Sequence, residues 1–225
     1  MSDKVGVAVV GVGFVGGRAH TPSFKKIEGS KLVALCDKAE TIVKPLSEKY
    51  DVKYYLKYEE LLDDPKLDAV VLSIPTPLHY DFAMKALHKG KHVLCEMPIA
   101  PTLDKVKELK RAAEETGVIL MPDLNLRFAP IYIKTKEMIE SGRVGKPIAV
   151  NYREFIPTES IANQWPAASW AWNIEKSGGY PDFTLSVWSI DMLRWMFDSE
   201  IEKVQWIANY PKFEEYGGWA TTLWA

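Results

Sequence analysis

The sequence predicts an α/β fold, a doubly wound parallel sheet, followed by an α+β domain with an open, mostly antiparallel sheet. Three observations lead there. Five continuous apolar runs alternate with amphipathic segments through the first half, as parallel strands buried on both faces require. A glycine-rich turn follows the first run directly. All eight tryptophans (Trp165, Trp170, Trp172, Trp188, Trp195, Trp206, Trp219 and Trp224) lie after residue 160. A shift that abrupt places a boundary at "MPDLN", giving domains 1–122 and 123–225.

The strands of the first domain are expected in "KVGVAVVGVG", "KLVALCD", "LDAVVLSIP", "KHVLCEMP" and "GVILMPD". Helical patterns separate them, among them "HYDFAMKALHKG" and "TLDKVKELKRAAEETG". The second of these is capped by Thr102 and closed by Gly117. Pro22 either limits the first helix or opens a new helical turn after Thr21. In the second domain "RFAPIYIKTKEMIESGRVG" reads as a helix up to Gly142. "KPIAVNYREFI" and "IEKVQWIANY" read as strands with one wet face, and "DFTLSVWSIDMLRWMF" as a long apolar helix. The chain closes on "GGWATTLWA", a further strand that is expected either to pair within an oligomer or to belong to a longer protein.

Composition narrows the function. The 225 residues carry 28 basic and 30 acidic side chains, a net charge of −2, which disfavours nucleic acid and anionic membranes as partners. No apolar run approaches a membrane span. Cys36 and Cys95 close apolar runs and read as core thiols of a reducing cytoplasm. His20, His79, His88 and His92 are scattered without zinc-type spacing, so no metal is expected.

The glycine turn "GVGFVG" supplies Gly11, Gly13 and Gly16. Such a turn lets the backbone approach a pyrophosphate while the following helix turns its positive end toward it. Asp37 ends the second strand 21 residues past Gly16, close to the spacing of about 20 expected of a ribose-binding acid. Dinucleotide binding follows. Asp37 favours NAD, and Lys38 beside it leaves NADP open.

Four stretches together resemble the Gfo/Idh/MocA family: "GVGFVGGRAH", "IPTPLHYDFAMKALHKGKHVLCEMPIA", "NLRFAP" with "SGRVGKP", and "WAWNIEKSGGYPDFTLSVWSIDMLRW". The resemblance implies an N-terminal Rossmann domain and a second domain whose sheet forms a homo-oligomer. It also implies a chain that continues past residue 225. By position, Gly11, Gly13, Phe14, Val15 and Gly16 would meet the pyrophosphate. Asp37 would meet the ribose, Pro75 and His79 would lie beneath the nicotinamide ribose, and Glu96 and Asn125 near the cofactor. A lysine that handles substrate protons is implied between Glu96 and Pro98, and an Asp and a His at two positions four residues apart. This chain has Met97, Thr184 and Trp188 there. None titrates near neutral pH.

The resemblance therefore implies hydride transfer on a sugar-like or other small carbonyl or hydroxyl substrate, with a non-standard proton donor. Tyr180 and Asp182 are the nearest candidates for that donor, and half-buried packing and a helix cap are their ordinary roles. A nucleotide-binding sensor and a redox-neutral enzyme that retains its NAD are the alternatives.

Overall fold

A computed structural model describes residues 4–153, 170, 181–209 and 219–224. The chain divides into two compact units, Met1–Asp123 and Leu124–Ala225.

The first unit is built on a six-stranded parallel sheet: β1 (Val5–Val10), β2 (Ser30–Cys36), β3 (Lys53–Tyr55), β4 (Ala69–Leu72), β5 (His92–Cys95) and β6 (Leu120–Pro122), in the order β3-β2-β1-β4-β5-β6. The order reverses between β1 and β4, the switch point at which such sheets open a crevice at their carboxyl ends. Continuous apolar runs are explained by burial on both faces. Val7 and Val9 of β1 pack with Leu32, Leu35, Val43 and Val71. Ala8 and Val10, pointing the other way, pack with Leu61, Leu72, Leu87 and Leu109.

Five of the six strands are those expected. The exception is β3, a three-residue edge strand whose "KYY" carries no apolar run. The helices are α1 (Thr21–Lys26), α2 (Glu40–Tyr50), α3 (Tyr58–Leu62), α4 (Thr76–His88) and α5 (Leu103–Thr116). A wide helical turn over Gly16–His20 leads into α1, and Pro22 sits in the first turn of α1, so it opens a helical turn there. Thr102 Oγ1 accepts from the Lys105 amide at the start of α5, and Gly117 ends the helix at φ 70°. Both thiols are buried and unpaired, and burial raises both, Cys36 to about 12 and Cys95 well above its ordinary value.

In the second unit a short turn of helix, Asn125–Phe128, precedes α6 (Pro130–Glu140) and the long α7 (Pro181–Phe197). Arg127 holds Asp191 of α7 through two bonds, Nε to Oδ2 at 2.7 Å and a terminal nitrogen to Oδ1 at 2.5 Å. Lys136 of α6 donates to the Trp195 carbonyl at 2.8 Å.

Strands β7 (Val204–Asn209) and β8 (Trp219–Trp224) form an antiparallel pair, so the last apolar strand finds its partner inside the chain. One expectation fails. Residues 146–153 of the "KPIAVNYREFI" stretch form no strand, and Ile148 is 98% exposed. Alternation alone makes no strand without a neighbour to take up its backbone hydrogen bonds, and none pairs with this stretch among the described residues. No described helix is long and apolar enough to cross a membrane.

Thr102→Ala should lower stability by about 1 kcal/mol, because the Lys105 amide loses its acceptor. Urea unfolding of the two proteins, with unchanged slope, would measure it.

Candidate functional site

The turn after β1 is fixed by two close approaches. Gly11 lies at φ 82°, and a Cβ there would stand 2.4 Å from the Ser73 carbonyl oxygen. A Cβ on Gly16 would stand 1.9 Å from the oxygen of Gly11. Both glycines are therefore required by the protein's own packing. Gly13 differs: a Cβ there would meet no atom within 4 Å. Its lack of a side chain leaves open space over the turn, as a phosphate cradle does. Phe14 beside it is 52% exposed, with the Arg18 guanidinium 4.7 Å from its ring centre, and Val15 is half-buried.

Asp37 closes this turn from the end of β2. Its Oδ2 accepts from the Val12 amide at 3.0 Å and its Oδ1 from the Ala39 amide at 3.0 Å. Each oxygen keeps acceptor capacity for a hydroxyl, so the carboxylate is both oriented and available. Lys38 is exposed. The glycine turn and Asp37 together fit the pyrophosphate and ribose of a dinucleotide.

On the other side of the switch point lie the ends of β4, β5 and β6. Pro75 is exposed at the start of α4. His79 is only 1% exposed, with Nδ1 2.7 Å from the Pro98 carbonyl oxygen and Nε2 2.7 Å from that of Ile74. Burial pushes its pKa below the usual value, against the pull of both carbonyls and of Glu96. With both nitrogens facing main-chain oxygens, His79 braces the β4 loop against the β5 loop.

Glu96 and Met97 follow β5, both half-buried, and the Met97–Pro98 peptide is cis. The Glu96 amide donates to the Leu72 carbonyl at 3.0 Å, which ties the end of β5 to the end of β4. Its carboxylate meets His20, Nε2 to Oε1 at 2.7 Å, and the same nitrogen lies 3.6 Å from Asp123 Oδ2. The polar atoms of His20, Glu96 and Asp123 all fall within 4.8 Å of one another. Burial, then the Glu96 charge, raises the Asp123 pKa, and His20 partly offsets them.

The remaining sites lie in the second unit. Asn125 is exposed in the turn of helix before α6. Thr184 and Trp188 are four residues apart on α7, which also carries Asp182 in its first turn; Tyr180 lies outside the described residues.

Sequence reasoning missed the role of two residues. His20 counted only as one of four scattered histidines, and Asp123 only as a boundary residue. Asp123 directly follows the last parallel strand, and His20 closes the wide helical turn that begins at Gly16. What brings them together is the sheet order, which no local pattern carries.

Residues 5–124 match the family described as "Oxidoreductase family, NAD-binding Rossmann fold" (GFO_IDH_MocA), and residues 132–221 match the GFO/IDH/MocA C-terminal domain. The scyllo-inositol 2-dehydrogenase (NAD(+)) of Bacillus subtilis is 32% identical over 96% of this chain and 62% of its own. The myo-inositol 2-dehydrogenase of Thermotoga maritima is 31% identical over 88% of this chain and 56% of its own. Among solved structures, a probable dehydrogenase from Thermotoga maritima superposes with TM-score 0.74 at 26% identity, over 92% of this chain and 59% of that one. The myo-inositol 2-dehydrogenase of Lactobacillus plantarum superposes with TM-score 0.79 at 24% identity, a likeness of fold, over 92% and 60%. The chain thus spans about three fifths of the length of these relatives.

Two substitutions separate packing from binding. Gly16→Ala should cost about 1–3 kcal/mol of stability through backbone overlap. Gly13→Ala should unfold like the parent while weakening nucleotide binding about tenfold or more; paired unfolding and binding titrations decide it.

A raised carboxyl pKa favours folding at acid pH, and that contribution is lost as pH rises through the folded-state value. Asp123→Asn should therefore gain stability relative to the parent from pH 4 to pH 7. Thermal unfolding across that range reads the trend.

Proposed function

We propose, for a chain that belongs to the Gfo/Idh/MocA oxidoreductase family with its NAD-binding Rossmann fold, that it is an NAD(P)-dependent oxidoreductase acting on cyclitol or sugar-like hydroxyl groups. The observation that carries the reading is the pairing of the open turn at Gly13 with the Asp37 carboxylate held at its side. Domain 1–122 would hold the nucleotide, and domain 123–225 the substrate. Inositol dehydrogenases among the relatives support a polyol as the substrate class.

The chemistry sets a demand on the chain's own residues. The nicotinamide, when bound, supplies or accepts the hydride; the protein must orient the substrate and handle one proton. The glycine turn and Asp37 would fix the nucleotide's position along the carboxyl ends of the strands. Met97, Thr184 and Trp188 offer no group that titrates near neutral pH. Asp182 and Tyr180 are the proposed substitute donors in the second domain. A general acid or base typically contributes roughly 10² to 10⁴ in rate, so turnover without one is slow. The same three residues favour a second reading, a nucleotide-binding sensor that does not turn over. Two buried free thiols suit a cytoplasmic protein. A homo-oligomer formed through the C-terminal sheet completes the proposal.

The test begins with NADH and NADPH titrations followed by energy transfer from tryptophan, then a panel of inositols and sugars. Saturable binding with turnover supports the oxidoreductase, and binding without turnover the sensor. Met97→Lys should raise kcat toward a hydroxyl substrate by roughly 10²-fold. Asp182→Asn and Tyr180→Phe should lower kcat and leave nucleotide affinity intact. Unchanged rates in both would remove them as donors.

A further inference from the structure

We propose that His20 is a positioning residue for the nicotinamide end of the cofactor: through Glu96 it fixes the backbone at Met97 against the glycine turn. The inference rests on the oxidoreductase reading.

The direction of the cofactor sets where its nicotinamide lies. Asp37, at the end of β2, takes the adenosine ribose on one side of the glycine turn. The two halves of a dinucleotide lie on opposite sides of a switch point, so the other half runs over the ends of β4 and β5. Met97 stands there, two residues past the end of β5.

The backbone on either side of Met97 is held. The Glu96 amide before it donates to the Leu72 carbonyl at 3.0 Å, and the Pro98 carbonyl after it meets His79 Nδ1 at 2.7 Å. Both of these ties lead to β4 and the helix that follows it. The Glu96 side chain adds a tie in another direction, toward the glycine turn, because His20 Nε2 lies 2.7 Å from its Oε1. Facing a carboxylate, that nitrogen is the donor. Asp123 Oδ2 flanks the same nitrogen at 3.6 Å, and the Asp123 amide donates to the Cys95 carbonyl at 2.8 Å.

His20 can carry this tie because its own backbone is anchored to the turn. Gly16–His20 is the wide helical turn, and the Thr21 amide reaches back across it to the Gly16 carbonyl. The buried Thr21 hydroxyl donates to the same oxygen at 2.8 Å. Gly17 sits so near β1 that a Cβ on it would stand 2.6 Å from the Val12 carbonyl oxygen. An extra residue in a helical turn redirects the side chains around it, and such turns recur at functional sites. Here the side chain is His20, which reaches a partner 76 positions away in sequence.

The anchor and the tie are separate. Thr21 and Gly17 hold the wide turn without the imidazole, so loss of His20 leaves the pyrophosphate turn formed. What it frees is the Glu96 side chain, and with it the nicotinamide end.

ADP-ribose, which has every part of NADH except the nicotinamide ring, separates the two halves. Calorimetric titration of both ligands into the parent and its variants reads the difference, with folding checked by circular dichroism. His20→Ala and Glu96→Ala should each weaken NADH about fivefold or more and change ADP-ribose by no more than about twofold. Residues that act as one unit are not additive, so the double variant should lose no more than the weaker-binding single variant. His20→Gln, which keeps a donor, should lose less than His20→Ala. Equal weakening of the two ligands overturns the proposal, since it marks a role in folding the turn. Losses that add in the double variant, or unchanged NADH affinity in both single variants, overturn it while leaving the cofactor reading in place. Failure of the parent to bind both ligands overturns the cofactor reading and the positioning role with it.

Discussion

The turn that joins β1 to the segment before α1 is the constraint on which the site depends. Gly11 can approach the Ser73 carbonyl, and Gly16 can approach Gly11, only because neither carries a Cβ. Those approaches bring the loop after β1 onto the loop after β4, across the switch point. Asp37 then ties the same turn to the end of β2 through the Val12 amide. Three strand ends are thus joined around one short stretch of backbone, and space remains over Gly13.

The far half of the crevice is assembled by different means. His79 is a buried brace with both nitrogens on carbonyl oxygens, one from each of two loops. Burial favours the neutral ring, which donates from one nitrogen at a time, so the brace directs one strong bond and tolerates one poorer contact. Beside it the His20, Glu96 and Asp123 side chains meet at the ends of the glycine turn, β5 and β6. Here the protein concentrates ionisable groups directly next to a methionine, the one position where the family resemblance implies a lysine.

The second unit is held by a different interaction, the two-pronged ion pair between Arg127 and Asp191. A guanidinium fork on a carboxylate fixes both distance and rotation, so it sets the start of α6 against α7 more firmly than a lysine would. The face of α7 that carries Thr184 and Trp188 is positioned by that same helix. Its chemistry differs from the acid and histidine that the resemblance implies, and the difference is written in residue types alone.

How much was legible in the sequence depended on whether the cause was local. Continuous apolar runs marked five buried strands, because burial on both faces leaves no wet side to alternate. Thr102 and Gly117 marked the ends of α5, because caps act over one turn. Gly11, Gly16 and Asp37 followed from spacing. The edge strand β3 carried no such signal, since three residues at a sheet's margin bury too little to shape composition. Residues 146–153 carried a false one, because alternation does not supply a partner. The role of His79 and the meeting of His20 with Glu96 and Asp123 were decided only by tertiary structure. Sheet order places the ends of β1, β4, β5 and β6 side by side, and a contact between residues 76 positions apart leaves no trace in the stretch around either one.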